Sequence, residues 1–220
     1  MKRIILTIIL FAGLLTPAHA QTGLDITAEE KEQIIVRIKD KLEDFQYFLG
    51  TMADKNNSQQ VRQSAYKANT LLFIGNCEPY EVIDQTTGKV ERKRAVEMET
   101  SSVNSNYIKR QPMKQYFINI MNNRAYSNIK IEQSDIIRVD NFRKVGEGKY
   151  EAVAHICQYF AGYNDNGQIR YGDITEKAVK ILIDYYEIPN SFGGEIIYDF
   201  IYDIKLGNMK VLSTERLQIR

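Results

Sequence analysis

Tryptophan is absent from this 220-residue chain, and cysteine, histidine and proline are scarce, with two, two and four copies. Two cysteines cannot build a disulfide framework or a Cys-rich zinc site. His155 is the sole histidine after residue 20, so no metal site is indicated. An excess of either charge is also lacking. Lys plus Arg number 29 against 28 Asp plus Glu, a net charge of +1, which removes the electrostatic case for a nucleic-acid partner. Walker-type loops, GxSxG, HExxH and dinucleotide fingerprints are missing, so no cofactor is indicated. Apolar residues at 44% and charged residues at 26% are ordinary globular values and disfavour long disorder.

The chain opens with an address. Met1-Lys2-Arg3 is basic, Ile4 to Leu15 is apolar except for Thr7 and Gly13, and Ala18-His19-Ala20 supplies small residues around a cleavage point. That order describes a secretory signal peptide over residues 1–20. The alternative is an uncleaved N-terminal anchor, although the apolar run is well short of the ~20 residues a spanning helix needs. Cleavage after Ala20 would leave 27 basic residues against 28 acidic ones. It would place a mature protein with no membrane span in a periplasm or outside the cell. In that oxidising setting Cys77 and Cys157 are a candidate disulfide. The alternative is two small buried hydrophobes.

After a short tail over 21–26, residues 27–212 read as one domain, followed by a C-terminal tail over 213–220. Thr27 and Glu30 form a capping box. Behind it Ile34, Ile35, Ile38, Leu42, Phe45, Leu49 and Met52 make one apolar stripe on a long helix. Ser58 caps a second helix running to Phe73, with Val61, Ala65, Ala68 and Leu72 inward. Tyr80–Ile83 and Arg94–Met98 read as a hairpin, and Pro112 starts a third helix carrying Met113, Tyr116, Phe117 and Ile120. Four long strands rich in Ile, Val, Tyr and Phe follow. They are broken at Gly146-Glu147-Gly148, at Asp165-Asn166-Gly167, and around Pro189-Asn190 with Gly193-Gly194. Alternation puts Thr175, Lys177, Val179, Ile181, Ile183 and Tyr185 on one face. The expected class is α+β: three helices from the N-terminal half packed on a curved, mainly antiparallel sheet of about six strands.

This order of elements resembles the nuclear-transport-factor-2-like (cystatin-like cone) superfamily, and more narrowly its secreted members common in Bacteroidetes. The residues concerned are Phe73 at the end of the second helix, Gln158-Tyr159-Phe160 with Gly162, Tyr171 to Lys177, and Leu206 to Val211. Asn208 stands where an acidic residue is expected. The resemblance implies a cone-shaped cavity between sheet and helices. Its members include isomerases, dehydratases and hydrolases as well as non-catalytic binding modules, so fold alone selects no activity.

Asp173, Thr175 and Lys177 share the inward face, and with Gln158 and Phe160 they are candidates for the polar wall of a ligand pocket. The alternative is a charge pair at the sheet rim. Tyr185, Tyr198 and Tyr202 are aromatic candidates for the same pocket, or core. His155 has the right chemistry for a general base, but parity sends it to the convex face if Gln158 and Phe160 point inward. There it joins Val153, Ile197 and Ile201 as an interface candidate. The function read from these residues is an exported, non-catalytic module that binds a small ligand or a protein partner. The alternatives are a small cone-fold enzyme using a cavity carboxylate and a subunit that dimerises through its convex face.

Overall fold

In the structure, a computed structural model describing residues 26–84, 87–192 and 195–217, three helices cover one face of a sheet. The signal-peptide segment lies outside the described residues. Helix α1 (Ala28–Ala53) starts as its sequence dictates: the Glu30 amide donates to Thr27 Oγ1 at 3.2 Å, and the Thr27 amide donates to Glu30 Oε2 at 2.8 Å. Ile34, Ile38, Leu42, Phe45, Leu49 and Met52 are fully buried along its stripe. In α2 (Gln59–Leu71) Ser58 Oγ accepts from the Val61 amide. The buried face is rotated from the expected one, however, with Ala65, Asn69 and Thr70 inside and Val61 exposed. The Asn69 side-chain amide reaches the carbonyl of Phe45, so a polar contact to α1, invisible to a hydrophobic pattern, sets that rotation. Phe73 then links the helices, edge-on to Phe45 at 5.6 Å and to Phe117 at 6.0 Å.

The hairpin region departs from expectation. Strand β1 (Tyr80–Ile83) pairs with β2 (Val90–Lys93), not with Arg94–Met98, and forms a separate two-stranded sheet. Val90-Glu91-Arg92-Lys93 is too charged to register as strand by apolar content, yet on a small exposed ribbon charge is no obstacle. Met98 belongs to β3 (Glu97–Ser102), which turns back through β4 (Ser105–Pro112) and enters the main sheet. Helix α3 (Met113–Met121) follows directly, with Met113, Tyr116, Phe117 and Ile120 buried.

The meander comprises β5 (Asn128–Gly146), β6 (Lys149–Tyr163), β7 (Ile169–Phe192) and β8 (Glu195–Arg216). The six-stranded order is β4-β3-β8-β7-β6-β5, antiparallel throughout except where β3 runs parallel to β8 at Met98 and Met209. Asn208, in the position expected to be acidic, accepts from the Glu97 amide at 2.9 Å and fastens that parallel join. Strand β8 continues to Arg216, opposite Asp173, so residues 213–216 are sheet rather than tail. Register shifts at Glu176/Lys177 and Val179/Ile181 interrupt the ladder between β7 and β8; bulges of this kind bend a strand and sharpen its twist. Thr175, Lys177, Val179, Ile181, Ile183 and Tyr185 are all buried on the helical face, as alternation requires.

Both cysteines are free thiols. Cys77 lies buried at the end of a 3-10 turn, its sulfur 3.8 Å from the Thr70 carbonyl, whereas Cys157 sits among the convex positions of β6. The two occupy different layers, so the candidate disulfide is replaced by the packing alternative.

Candidate functional site

Where α3, the β3–β4 hairpin and the inward face of β6–β7 meet, the cover over the sheet is incomplete and leaves a half-open cavity of about 390 Å³. Its floor is polar because four side chains project there at period two along neighbouring strands. Asp173, Thr175 and Lys177 come from β7, and Gln158, directly opposite Thr175, comes from β6. All four are 5% exposed or less. Five pocket candidates, Gln158, Phe160, Asp173, Thr175 and Lys177, therefore lie around one space.

Lys177 is held by a single strong contact: its ammonium donates to Gln158 Oε1 at 2.7 Å. Gln158 Nε2 donates to Gln46 Oε1 at 3.0 Å, and Gln46 Nε2 donates to the Ile131 carbonyl at 2.8 Å, a relay that fixes the acceptor's orientation. Otherwise Nζ meets Met98 Sδ at 3.8 Å and sits 5.9 Å from the centre of the Tyr116 ring. Among the described residues no carboxylate lies within ion-pair distance of it. Burial pushes the lysine down to about 8, partly opposed by the charge of Asp173.

Asp173 is treated differently by its surroundings. Burial raises its carboxyl above the usual aspartate range, against the lowering effects of the Tyr171 hydroxyl, Lys177 and Thr175. Tyr171 Oη donates to Asp173 Oδ2 at 2.5 Å, lies 2.9 Å from Ser102 Oγ and accepts from the Val103 amide at 3.3 Å. The β3–β4 hairpin thus anchors the tyrosine that anchors the aspartate. Burial likewise drives the Tyr116 hydroxyl well above its ordinary value.

The remaining wall is aromatic. Tyr126, Phe160 and Tyr171 form a triangle with ring centroids 5.9 to 6.5 Å apart. Gly162 makes the room for it, because a Cβ there would stand 2.5 Å from Tyr126 Cδ1. Tyr171, Tyr116, Tyr126 and Ser102 were not among the site residues expected from sequence. Tyr171 carried a signal, since it precedes Asp173 by two and shares its face. Ser102 carried none, because it lies in β3 beyond Met98, where the expected strand ended.

Tyr185 and Tyr202 lie elsewhere. They stack at 5.2 Å beneath the start of α1, where Tyr185 Oη bonds Glu30 Oε1 and the Arg37 guanidinium covers Tyr202. Being on the inward face does not bring them to the cavity, because a 24-residue strand extends far beyond one pocket. The side chains of Tyr198 and Ile197 lie outside the described residues.

On the convex face His155 is 8% exposed, between Asp140 (Nε2 to Oδ2, 3.4 Å) and Glu176 (Nδ1 to Oε1, 3.7 Å). It is remote from the cavity by parity. Val153 and Ile201 do not form the expected apolar patch: Val153 pairs with Lys180 and Ile201 with Tyr186, well apart along β7. A larger convex depression, about 770 Å³, surrounds Val153 but is lined by the Arg143–Glu151–Lys180 ion-pair cluster. Arg143 and Lys180 share the one carboxylate of Glu151, and Lys210 lines the same depression. Among the described residues no group of three His, Cys, Asp or Glu side chains is placed to hold a metal ion, and no helix is long and apolar enough to cross a membrane.

No protein-family profile and no curated protein matches the chain. A crystal structure from Novosphingobium aromaticivorans DSM 12444, provisionally described as a scytalone dehydratase, is similar at 11% identity and a TM-score of 0.38. That likeness covers 87% of this chain and 91% of the other. At that distance it assigns no activity here.

Proposed function

We propose that the protein is an exported module that binds a small, ring-shaped, hydrogen-bonding molecule in the cavity between α3, the β3–β4 hairpin and β6–β7. The observation that supports this most is Lys177. An ammonium has three donors, and here one strong acceptor, a thioether and an aromatic face surround it. A ligand oxygen entering the cavity would complete that set, while the Tyr126–Phe160–Tyr171 triangle would take the flat face of a ring. The volume falls within the range of small-molecule sites. Order of elements supports placing the chain among secreted cone-superfamily proteins, and the sequence of residues 1–20 supports export. A protein partner on the convex face has less behind it, since Val153 and Ile201 lie well apart there and form no joint apolar patch.

A second reading is favoured by the 2.5 Å contact between Tyr171 and Asp173: a buried carboxyl poised as acid or base in an isomerase, dehydratase or hydrolase. Native mass spectrometry of the protein secreted by its own producer tests the binding reading. The expected result is a non-covalent adduct small enough for the cavity, released on denaturation and lost in Lys177→Met. A ligand-free wild type, with no thermal shift across a library of small aromatic polyols, would overturn it. N-terminal sequencing of the same material should begin at Gln21, and a retained Met1 would refute export by cleavage.

A further inference from the structure

We infer that Lys177 is a nucleophilic amine that captures aldehydes or ketones in the cavity as a reversible imine. This rests on the same cavity being a ligand site and adds to it a chemical class of ligand and a covalent step. Lysines usually sit as solvated ammonium ions or in ion pairs, and both arrangements suppress nucleophilicity. Lys177 is in neither, being 4% exposed, with no carboxylate in ion-pair range among the described residues. Desolvation of this kind is a recognised way to activate an amine. The Gln158–Gln46 relay holds Nζ at the cavity floor.

The same cavity wall holds a proton carrier. Asp173 lies on the same face of β7, four residues before Lys177, and Tyr171 and Thr175 hold its carboxyl. The neutral amine adds to the carbonyl carbon, a C–N bond forms, and the carbonyl electron pair moves to oxygen, which takes a proton. The resulting carbinolamine loses its hydroxyl as water after a second protonation, leaving the protonated imine. Amine and carbonyl give imine and one water; no oxidant or reductant is consumed. A carboxyl that holds its proton more firmly than an exposed aspartate, as burial makes Asp173 do, supplies the proton for water loss and recovers one from the amine. The aromatic triangle would stack an aryl carbonyl compound against the floor.

The test incubates the full-length mature protein with 4-hydroxybenzaldehyde and sodium cyanoborohydride near neutral pH and maps the reduced adduct by peptide mass spectrometry. Exposed Lys39 and Lys67 serve as internal references. Lys177 should be labelled at least about tenfold faster than either, given its larger neutral fraction. Lys177→Arg should lose the fast adduct while Lys39 labelling stays unchanged. The wild-type map decides even if that variant fails to fold. Labelling of Lys177 no faster than the references overturns the inference. If the aldehyde raises the melting temperature without modifying Lys177, the covalent step fails while the binding reading stands.

Discussion

Replacing Lys177 with methionine should change how stability depends on pH, and the size of that change follows from the structure. The lysine falls from 10.5 to about 8 because burial penalises its charge, which corresponds to about 3 kcal/mol at ~1.4 kcal/mol per pH unit. At pH 7 folded and unfolded chains both carry the proton, and the folded state bears the cost of a buried ammonium. As pH rises through 8 the folded chain releases its proton first, while the unfolded chain keeps it until about 10.4. The unfolded state then binds more protons, so stability rises with pH across that window. Methionine follows the lysine side chain as far as Cε, lacks the amine, and removes this dependence. It also strands Gln158 Oε1, a loss of about 1–3 kcal/mol, but that loss does not vary with pH. The two effects therefore separate in the slope. Urea denaturation of both proteins at pH 7, 8, 9 and 10 should show the wild type gaining about 2 kcal/mol relative to Lys177→Met. Asp173, Tyr116 and Tyr171 are present in both proteins, so the difference isolates Lys177 together with its coupling to Asp173. A difference flat to within about half a kcal/mol would show that Lys177 is hydrated in solution and would remove the premise of the cavity argument.

Two further perturbations probe neighbouring parts of the molecule. Gly162→Ala places a Cβ 2.5 Å from Tyr126 Cδ1, so the aromatic wall must move, at a cost of about 1–3 kcal/mol for overpacking. An unchanged urea midpoint would contradict that contact. For the cysteines, burial pushes the Cys77 thiol up to about 12, so iodoacetamide should leave Cys77 unmodified in the native protein. Both cysteines should alkylate in denaturant without reductant. A requirement for reductant, read by intact mass, would show a disulfide instead.

The parts of the fold legible in the sequence are those where one physical effect dominates. The Thr27–Glu30 cap rests on one local side-chain pairing, and the α1 stripe and the inward line of β7 each rest on a single periodicity; the structure carries all three, with Ile35 alone of the stripe only half-buried. Legibility failed where two effects compete. Val61 has the apolarity for the core, yet the Asn69 contact to Phe45 turns α2 away from it. Strand β2 is charged because it is edge ribbon, and β4 offers Tyr107 and Ile108 to solvent, so neither shows the half-buried alternation that identifies a strand. Ending the expected strand at Met98 rather than Ser102 hid Ser102 and with it the anchor of Tyr171. Faces were readable and positions along them were not: Tyr185 and Lys177 share a face, but only knowledge of which helix covers each end of β7 assigns one to the core near Glu30 and the other to the cavity.

The covering layer also explains why the inward line of β7 changes character midway. Val179, Ile181 and Ile183 lie within the continuous apolar core, where a buried charge would cost several kcal/mol with nothing to offset it. Asp173, Thr175 and Lys177 follow the same alternation toward the end of the strand where α3 and the β3–β4 hairpin leave a gap. Mere tolerance of polarity at a gap would leave these side chains wet, yet all are 5% exposed or less. They are therefore not rim charges that happen to sit on a strand. Water is nearly excluded from them while the space beside them stays open. An apolar side chain at position 177 would pack against Met98 and the Tyr116 ring at less cost than an ammonium does. A cavity ligand of the kind proposed, able to accept its proton or its electron pair, would offset that cost beyond what Gln158 Oε1 supplies.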